Sequence, residues 1–117
     1  MLPPDALICL FGDLGAGKTT FVKGIAEGLG LGSFQVSSPT FVYMNIYQGK
    51  TTLIHFDLYR LKDTDQFLSM GFDEYLEGPG IKCIEWSEKI ESIIPKESYS
   101  VRIMHLENGR EIEVESP

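Results

Sequence analysis

The sequence predicts an α/β fold of three layers, with a central mixed sheet that is parallel at its core and bears antiparallel hairpins at its margins. Three observations carry this. Ala6–Phe11 and Ile81–Trp86 are short apolar runs of the kind that form strands buried on both faces. Segments with helical spacing separate the strands, as in chains built around a parallel sheet. Asn108-Gly109, set between two β-branched runs, is a strong hairpin turn.

Taken in order, the first strand, Ala6–Phe11, ends at Gly12. From Thr19 to about Leu29, Phe21, Val22, Ile25, Ala26 and Leu29 recur at helical spacing, and Gly28, Gly30 and Gly32 stop that helix. Phe41–Tyr47 and Thr52–Asp57 are aromatic and β-branched runs either side of Gln48-Gly49-Lys50, which predicts a hairpin. Asp65–Leu76 reads as helix broken at Gly71, and Glu77-Gly78-Pro79-Gly80 as a turn before the strand Ile81–Trp86. Ser87 is the expected N-cap of a helix through Ile94, stopped by Pro95. Tyr99–Leu106 and Glu111–Glu115 complete the sheet as a hairpin. The 117 residues suit one domain, expected to span 1–117, with no repeat, linker or low-complexity segment.

Composition narrows the function. With 17 Asp+Glu against 10 Lys+Arg the net charge is −7, which argues against a protein that grips nucleic acid over a broad face. The imbalance is local. Residues 1–56 are neutral, with Lys18, Lys23 and Lys50 against Asp5, Asp13 and Glu27, so the whole excess lies in 57–117. Acids that alternate with apolar residues, as in Glu111-Ile112-Glu113-Val114-Glu115, read as solvated faces rather than as a site for a basic partner. Cys9 and Cys83 sit in apolar runs without Cys-x-x-Cys spacing, and are expected as buried free thiols. No apolar run approaches the roughly 20 residues of a membrane span, and Met-Leu-Pro-Pro-Asp does not open a secretory signal, so a cytoplasmic protein is expected.

The chemistry concentrates in Gly12-Asp13-Leu14-Gly15-Ala16-Gly17-Lys18-Thr19, a full match to G-x-x-x-x-G-K-[ST] between an apolar strand and an amphipathic helix. Chance would produce it in roughly one such chain in a few hundred. Glycines let the loop turn consecutive N–H groups onto phosphate oxygens, and the helix N-terminus adds unpaired donors and its positive dipole end. Lys18 then reaches the β- and γ-phosphates, and the Thr19 hydroxyl ligates Mg²⁺. A plain glycine turn with a solvated lysine explains the match much less well. The motif predicts a P-loop NTPase-like fold that binds a nucleoside triphosphate. Such a site needs a carboxylate at a neighbouring strand end. Leu53-Ile54-His55-Phe56-Asp57 and Ile81-Lys82-Cys83-Ile84-Glu85 both offer one, although either acid also suits an N-cap or a solvated loop.

Around that loop the chain resembles the TsaE (YjeE) family. The resemblance is carried by Gly-Asp-Leu-Gly-Ala-Gly-Lys-Thr-Thr-Phe (12–21), Ser-Pro-Thr-Phe (38–41), His-Phe-Asp-Leu-Tyr-Arg-Leu (55–61), Met-Gly-Phe-Asp-Glu-Tyr (70–75), Ile-Glu-Trp (84–86) and Gly-Arg-Glu (109–111). It implies a P-loop ATPase required for N6-threonylcarbamoyladenosine at position 37 of tRNAs reading ANN codons. It further implies ATP and Mg²⁺ as cofactors, TsaD and TsaB as partners, and tRNA met only through their complex. By the same resemblance Gly15, Ala16, Gly17, Lys18, Thr19 and Thr20, with Gly12 and Asp13 of the motif, bind phosphates. Thr19, Asp57 and Glu85 serve the metal, and Thr40 lies in a switch-like loop. Trp86 matches the family's functional tryptophan, and Arg110 approaches the nucleotide.

Each of these has a plainer reading: Trp86 as core or interface filling, Arg110 as a solvated residue after a turn, Thr40 as a strand start. Tyr59 and Arg60 read equally as a surface pair or a partner contact, and His55 and His105 as packed or solvated rather than ligands. Family members usually begin with a further strand and helix containing a Thr and a Leu-Gly pair. On the resemblance that segment is missing here, and with it the part nearest the base. Two other readings compete. A small-molecule kinase needs an acceptor pocket and a lid, for which three arginines (Arg60, Arg102, Arg110) and this length leave little provision. A nucleotide-dependent assembly scaffold with negligible hydrolysis uses the same loop.

Overall fold

In the computed structural model, residues 4–12, 18–30, 43–49 and 51–117 are described. Six strands form one sheet: β1 (Leu7–Phe11), β2 (Met44–Tyr47), β3 (Leu53–Asp57), β4 (Ile81–Glu85), β5 (Tyr99–Leu106) and β6 (Gly109–Glu115), in the order β2-β3-β4-β1-β5-β6. The four central strands are parallel, and β2 and β6 are antiparallel margins. The mixed sheet is thus the predicted one. β1 occupies a central position because it is apolar at every residue and can be covered on both sides.

Alternation along β1 shows the two faces. Ile8 and Leu10 join Leu53, Ile81, Cys83, Val101 and Ile103 under α1 (Lys18–Gly28), whose Val22 and Ala26 are fully buried. Leu7 and Cys9 point the other way, to Ile54, Phe56, Ile84, Phe67, Leu76 and Ile90. That second face is covered by α2 (Thr64–Ser69), α3 (Asp73–Glu77) and a 3-10 helix (Ser87–Ile93). Its centre is aromatic: the rings of Phe56, Phe67 and Phe72 pack with centroids 5.6 to 6.2 Å apart, each pair adding about 0.5–1.5 kcal/mol beyond the area it buries. Layers of helix, sheet and helix result. Among the described residues no helix is long and apolar enough to cross a membrane.

Local signals held in most places. The turn around Gln48 and Gly49 joins β2 to β3, and Asn108-Gly109 joins β5 to β6. The helix predicted over Asp65–Leu76 is two short helices, divided near Gly71, whose φ is 74°. Asp63 caps α2 by accepting the Gln66 N–H at 2.9 Å, and the Gln66 side chain accepts the Lys62 N–H at 2.7 Å in return. The segment after β4 departs from expectation. Ser87 does not cap an α-helix: it is buried and is itself the first residue of the 3-10 helix. Trp86 takes the cap position with left-handed φ 62° and ψ 39°, and β4 accordingly ends at Glu85 rather than Trp86. The turns that follow are 3-10 and are interrupted at Ile90, with φ −130°.

Candidate functional site

Because β1, β3 and β4 are parallel, their carboxyl ends share one edge of the sheet, where open α/β sheets gather their ligands. The predicted phosphate loop leaves β1 at this edge, and α1 begins after it at Lys18. Gly12, the first residue beyond β1, has φ 148°, a conformation that side-chain-bearing residues rarely adopt, which accounts for the motif's first glycine. Asp57 ends β3 and Glu85 ends β4, and the two are register partners. Leu10 of β1 pairs with Glu85 on its other side. Alternation from Leu53 and Cys83 puts His55, Asp57 and Glu85 on the α1 side of the sheet. Two predicted carboxylates and the entry to the predicted loop therefore converge on one edge and one face.

The carboxylates differ in setting. Asp57 is half-buried, and its Oδ1 accepts the Tyr59 N–H at 3.2 Å, a short turn that folds the chain back beyond β3. Glu85 is 5% exposed, and its Oε2 lies 2.6 Å from Nε2 of the fully buried His55. The Leu58 N–H donates to the Glu85 carbonyl at 3.1 Å, stitching the two strand ends together beyond the last ladder rung. Directly after Glu85, Trp86 is the one non-glycine residue with positive φ among those described, and its ring lies 5.0 Å from that of Tyr59. A left-handed tryptophan costs about 1–2 kcal/mol, so the sharp turn behind Glu85 is maintained against strain.

Neighbouring groups stay out of the chemistry. Burial, then the Glu85 and Cys9 charges, pushes the Cys83 thiol well above its usual range, and burial likewise raises Cys9. Both are free, buried and protonated, as predicted, and neither is set up as a nucleophile. Lys82 is directed elsewhere. Its ammonium, pushed down by burial against the pull of the Asp5 charge, donates to the carbonyls of Asp5 and Gly78 at 2.9 and 2.7 Å.

The remaining predicted residues fall as follows. Lys18, Thr19 and Thr20 open α1, with Thr20 exposed. Asp13, Gly15, Ala16, Gly17 and Thr40 lie outside the described residues. Arg110 pairs with His105 in the β5–β6 ladder, and β1 and β5 separate its strand from β4. His55, expected to be packed or solvated rather than a ligand, is packed, and its bond to Glu85 goes beyond that expectation. Its position, two residues before Asp57 on the same face, was the available signal.

Among the described residues no group of three or more His, Cys, Asp and Glu is gathered for a metal ion. The oxygen donors at the strand ends nonetheless fit Mg²⁺, which usually takes one or two carboxylates and fills its other positions with water and phosphate oxygens.

Comparison with known proteins decides the family. The model for Threonylcarbamoyl adenosine biosynthesis protein TsaE matches residues 1–112. The chain belongs to the TsaE family. It is similar to the tRNA threonylcarbamoyladenosine biosynthesis protein TsaE of Treponema pallidum, at 40% identity over 97% of this chain and 84% of that relative. The Bacillus subtilis TsaE of the same name is 45% identical over 86% of this chain, which spans 62% of the relative's length. Among solved structures, the crystal structure of B. subtilis YdiB superposes with a TM-score of 0.74 at 37% identity, covering 95% of this chain and 68% of that one. With the sheet order and the layering, this establishes the P-loop NTPase-like architecture of this TsaE member.

Proposed function

We propose that this TsaE member binds and hydrolyses ATP with Mg²⁺ as a component of the tRNA N6-threonylcarbamoyladenosine machinery, slowly alone and faster with TsaB and TsaD. The observation that carries the reading is the convergence of Gly12, Asp57 and Glu85 at the carboxyl edge of three parallel strands, on the side that α1 covers. The names of the relatives support the pathway. The net charge of −7 agrees with a protein that meets tRNA inside a complex rather than alone.

In this reading the loop amides of Gly12, Asp13, Gly15, Ala16 and Gly17, with Lys18, Thr19 and Thr20, hold the phosphates. Thr19, Asp57 and Glu85 hold the metal. Held there, Mg²⁺ would supply neutralisation of phosphate charge. Phosphoryl transfer demands little covalent chemistry from a protein, so fixing charges and the attacking water in place is the main contribution of these residues. Asp57 and Glu85 suit that task because the last β3–β4 rung and the Leu58–Glu85 bond fix their backbones. Asp57 also serves the γ-phosphate side, Thr40 belongs to a switch-like loop, Trp86 borders the nucleotide behind Glu85, and Arg110 approaches it from the β5–β6 hairpin.

Measuring ATP turnover by the purified chain, with and without TsaB, TsaD and tRNA, tests the proposal. Stimulation by the complex is expected. An unchanged rate together with unchanged modification turnover would sink it.

A further inference from the structure

We infer that His55 is a positioning residue for Glu85, fixing the carboxylate through which this site engages its metal; the inference rests on the nucleotide-site reading above.

His55 lies within an otherwise apolar core strand, between Ile54 and Phe56, and is fully buried. A polar ring there costs stability unless its hydrogen bonds are met, and an apolar residue would fill the position at lower cost. Yet the ring makes one hydrogen bond, from Nε2 to Glu85 Oε2 at 2.6 Å, while Nδ1 has no partner among the described residues. A carboxylate oxygen can only accept, so Nε2–H is the donor. The polar capacity of a buried residue is thus directed at one carboxylate.

Geometry explains what the contact achieves. His55 is the register partner of Cys83, so Glu85 stands one pleat, about 6.6 Å, further along the neighbouring strand on the same face. Glu85 has three rotatable side-chain bonds, whereas the imidazole has two and is held by the core around it. The bond ties the flexible acid to the rigid ring and selects one orientation of its carboxylate. Partners of this kind, one shell behind a metal ligand, typically alter metal affinity about 10–100-fold when removed.

The test titrates Mg²⁺ against a fluorescent, slowly hydrolysed ATP analogue bound to the full chain, with parallel titrations in EDTA. His55→Ala should leave the EDTA affinity within about twofold and raise the Mg²⁺ concentration for half-maximal effect about tenfold. The His55→Ala/Glu85→Ala double variant should be no worse than Glu85→Ala alone, because the first residue acts only through the second. His55→Gln, which keeps an N–H donor near the Nε2 position, should recover much of the effect, and a thermal melt of each variant confirms folding. Multiplicative losses in the double variant, or a His55→Ala chain indistinguishable from the native one while Glu85→Ala is impaired, overturn the positioning role and leave the nucleotide site standing. A native chain that binds the analogue without any Mg²⁺ dependence overturns the metal-site reading itself, and the role of His55 with it.

Discussion

Asp57 and Glu85 are Cα partners on the final rung of the β3–β4 ladder, one on each of two adjacent parallel strands. Residues 28 positions apart in the chain are therefore held side by side by the backbone register of the β3–β4 ladder. Two carboxylates this close repel unless a cation or donors lie between or beside them, and the Tyr59 amide and the His55 ring each supply one such donor.

Asp57→Ala and Glu85→Ala should each lower ATP turnover by about 100-fold or more, the usual loss when one preorganised electrostatic group leaves a site. Nucleotide affinity should fall much less. Single-turnover hydrolysis and equilibrium titration on the same samples separate the two. Intact turnover with lost assembly onto partners would instead favour a scaffold.

Lys18→Ala should reduce triphosphate affinity below detection. Each hydrogen bond to a charged group is worth about 1.5–3 kcal/mol, or ten- to hundredfold in binding, and this lysine is expected to serve two phosphates. Calorimetric titration with ATP and with ADP checks it, and a smaller loss for ADP is the expected pattern.

Gly80→Ala should destabilise the fold by about 2–4 kcal/mol, read as a drop in the urea midpoint without a change of slope. Two causes combine. Gly80 has φ 102°, and a Cβ there would lie 2.8 Å from the Thr52 carbonyl oxygen. That oxygen already accepts the Ile81 N–H, the bond that starts β4 beside β3.

At position 86 the backbone and the ring can be separated. Trp86→Ala and Trp86→Gly both remove the ring and its contact with Tyr59, so their difference isolates the left-handed backbone at φ 62°. The glycine variant should be more stable by about 1 kcal/mol, measured by thermal or urea unfolding. Equal stabilities would mean that the turn relaxes once the ring is gone.

Stability should fall as the pH rises through 9.0, the ordinary thiol value, because unfolded Cys9 and Cys83 lose protons there while the buried thiols keep theirs. The folded state then binds more protons than the unfolded one, and the slope of stability with pH is negative. Lys82 opposes this. Its lowered ammonium releases its proton first in the folded state, which adds a positive slope just below 10.5. Cys83→Ala should flatten the alkaline decline in urea midpoints taken across this range.

How much was legible beforehand differs from residue to residue. Gly12 and Lys18 could be read from the sequence because a phosphate loop is local: its glycines, its lysine and its helix start are contiguous, and their chemistry depends on that spacing. Asp57 and Glu85 were legible as acids ending apolar strands, since a strand signal and its terminal residue lie together in the chain. The cap after β4 was not. Ser87 has the right residue type, but it is buried inside the first 3-10 turn, and Trp86 takes the cap position in the left-handed conformation. The place of Arg110 was not legible either, because the strand order that sets it on β6, next to β5, is a long-range outcome.

The sequence by itself determined the strands, the phosphate-loop motif, the layering and the family, because these follow from short-range periodicity and contiguous motifs. The tertiary structure alone decided that β4 lies between β3 and β1, and hence that Asp57 and Glu85 stand on one rung and His55 reaches Glu85. Strand order is a long-range outcome of which apolar faces bury best against one another. No local pattern within β3 or β4 records which strand will become its neighbour.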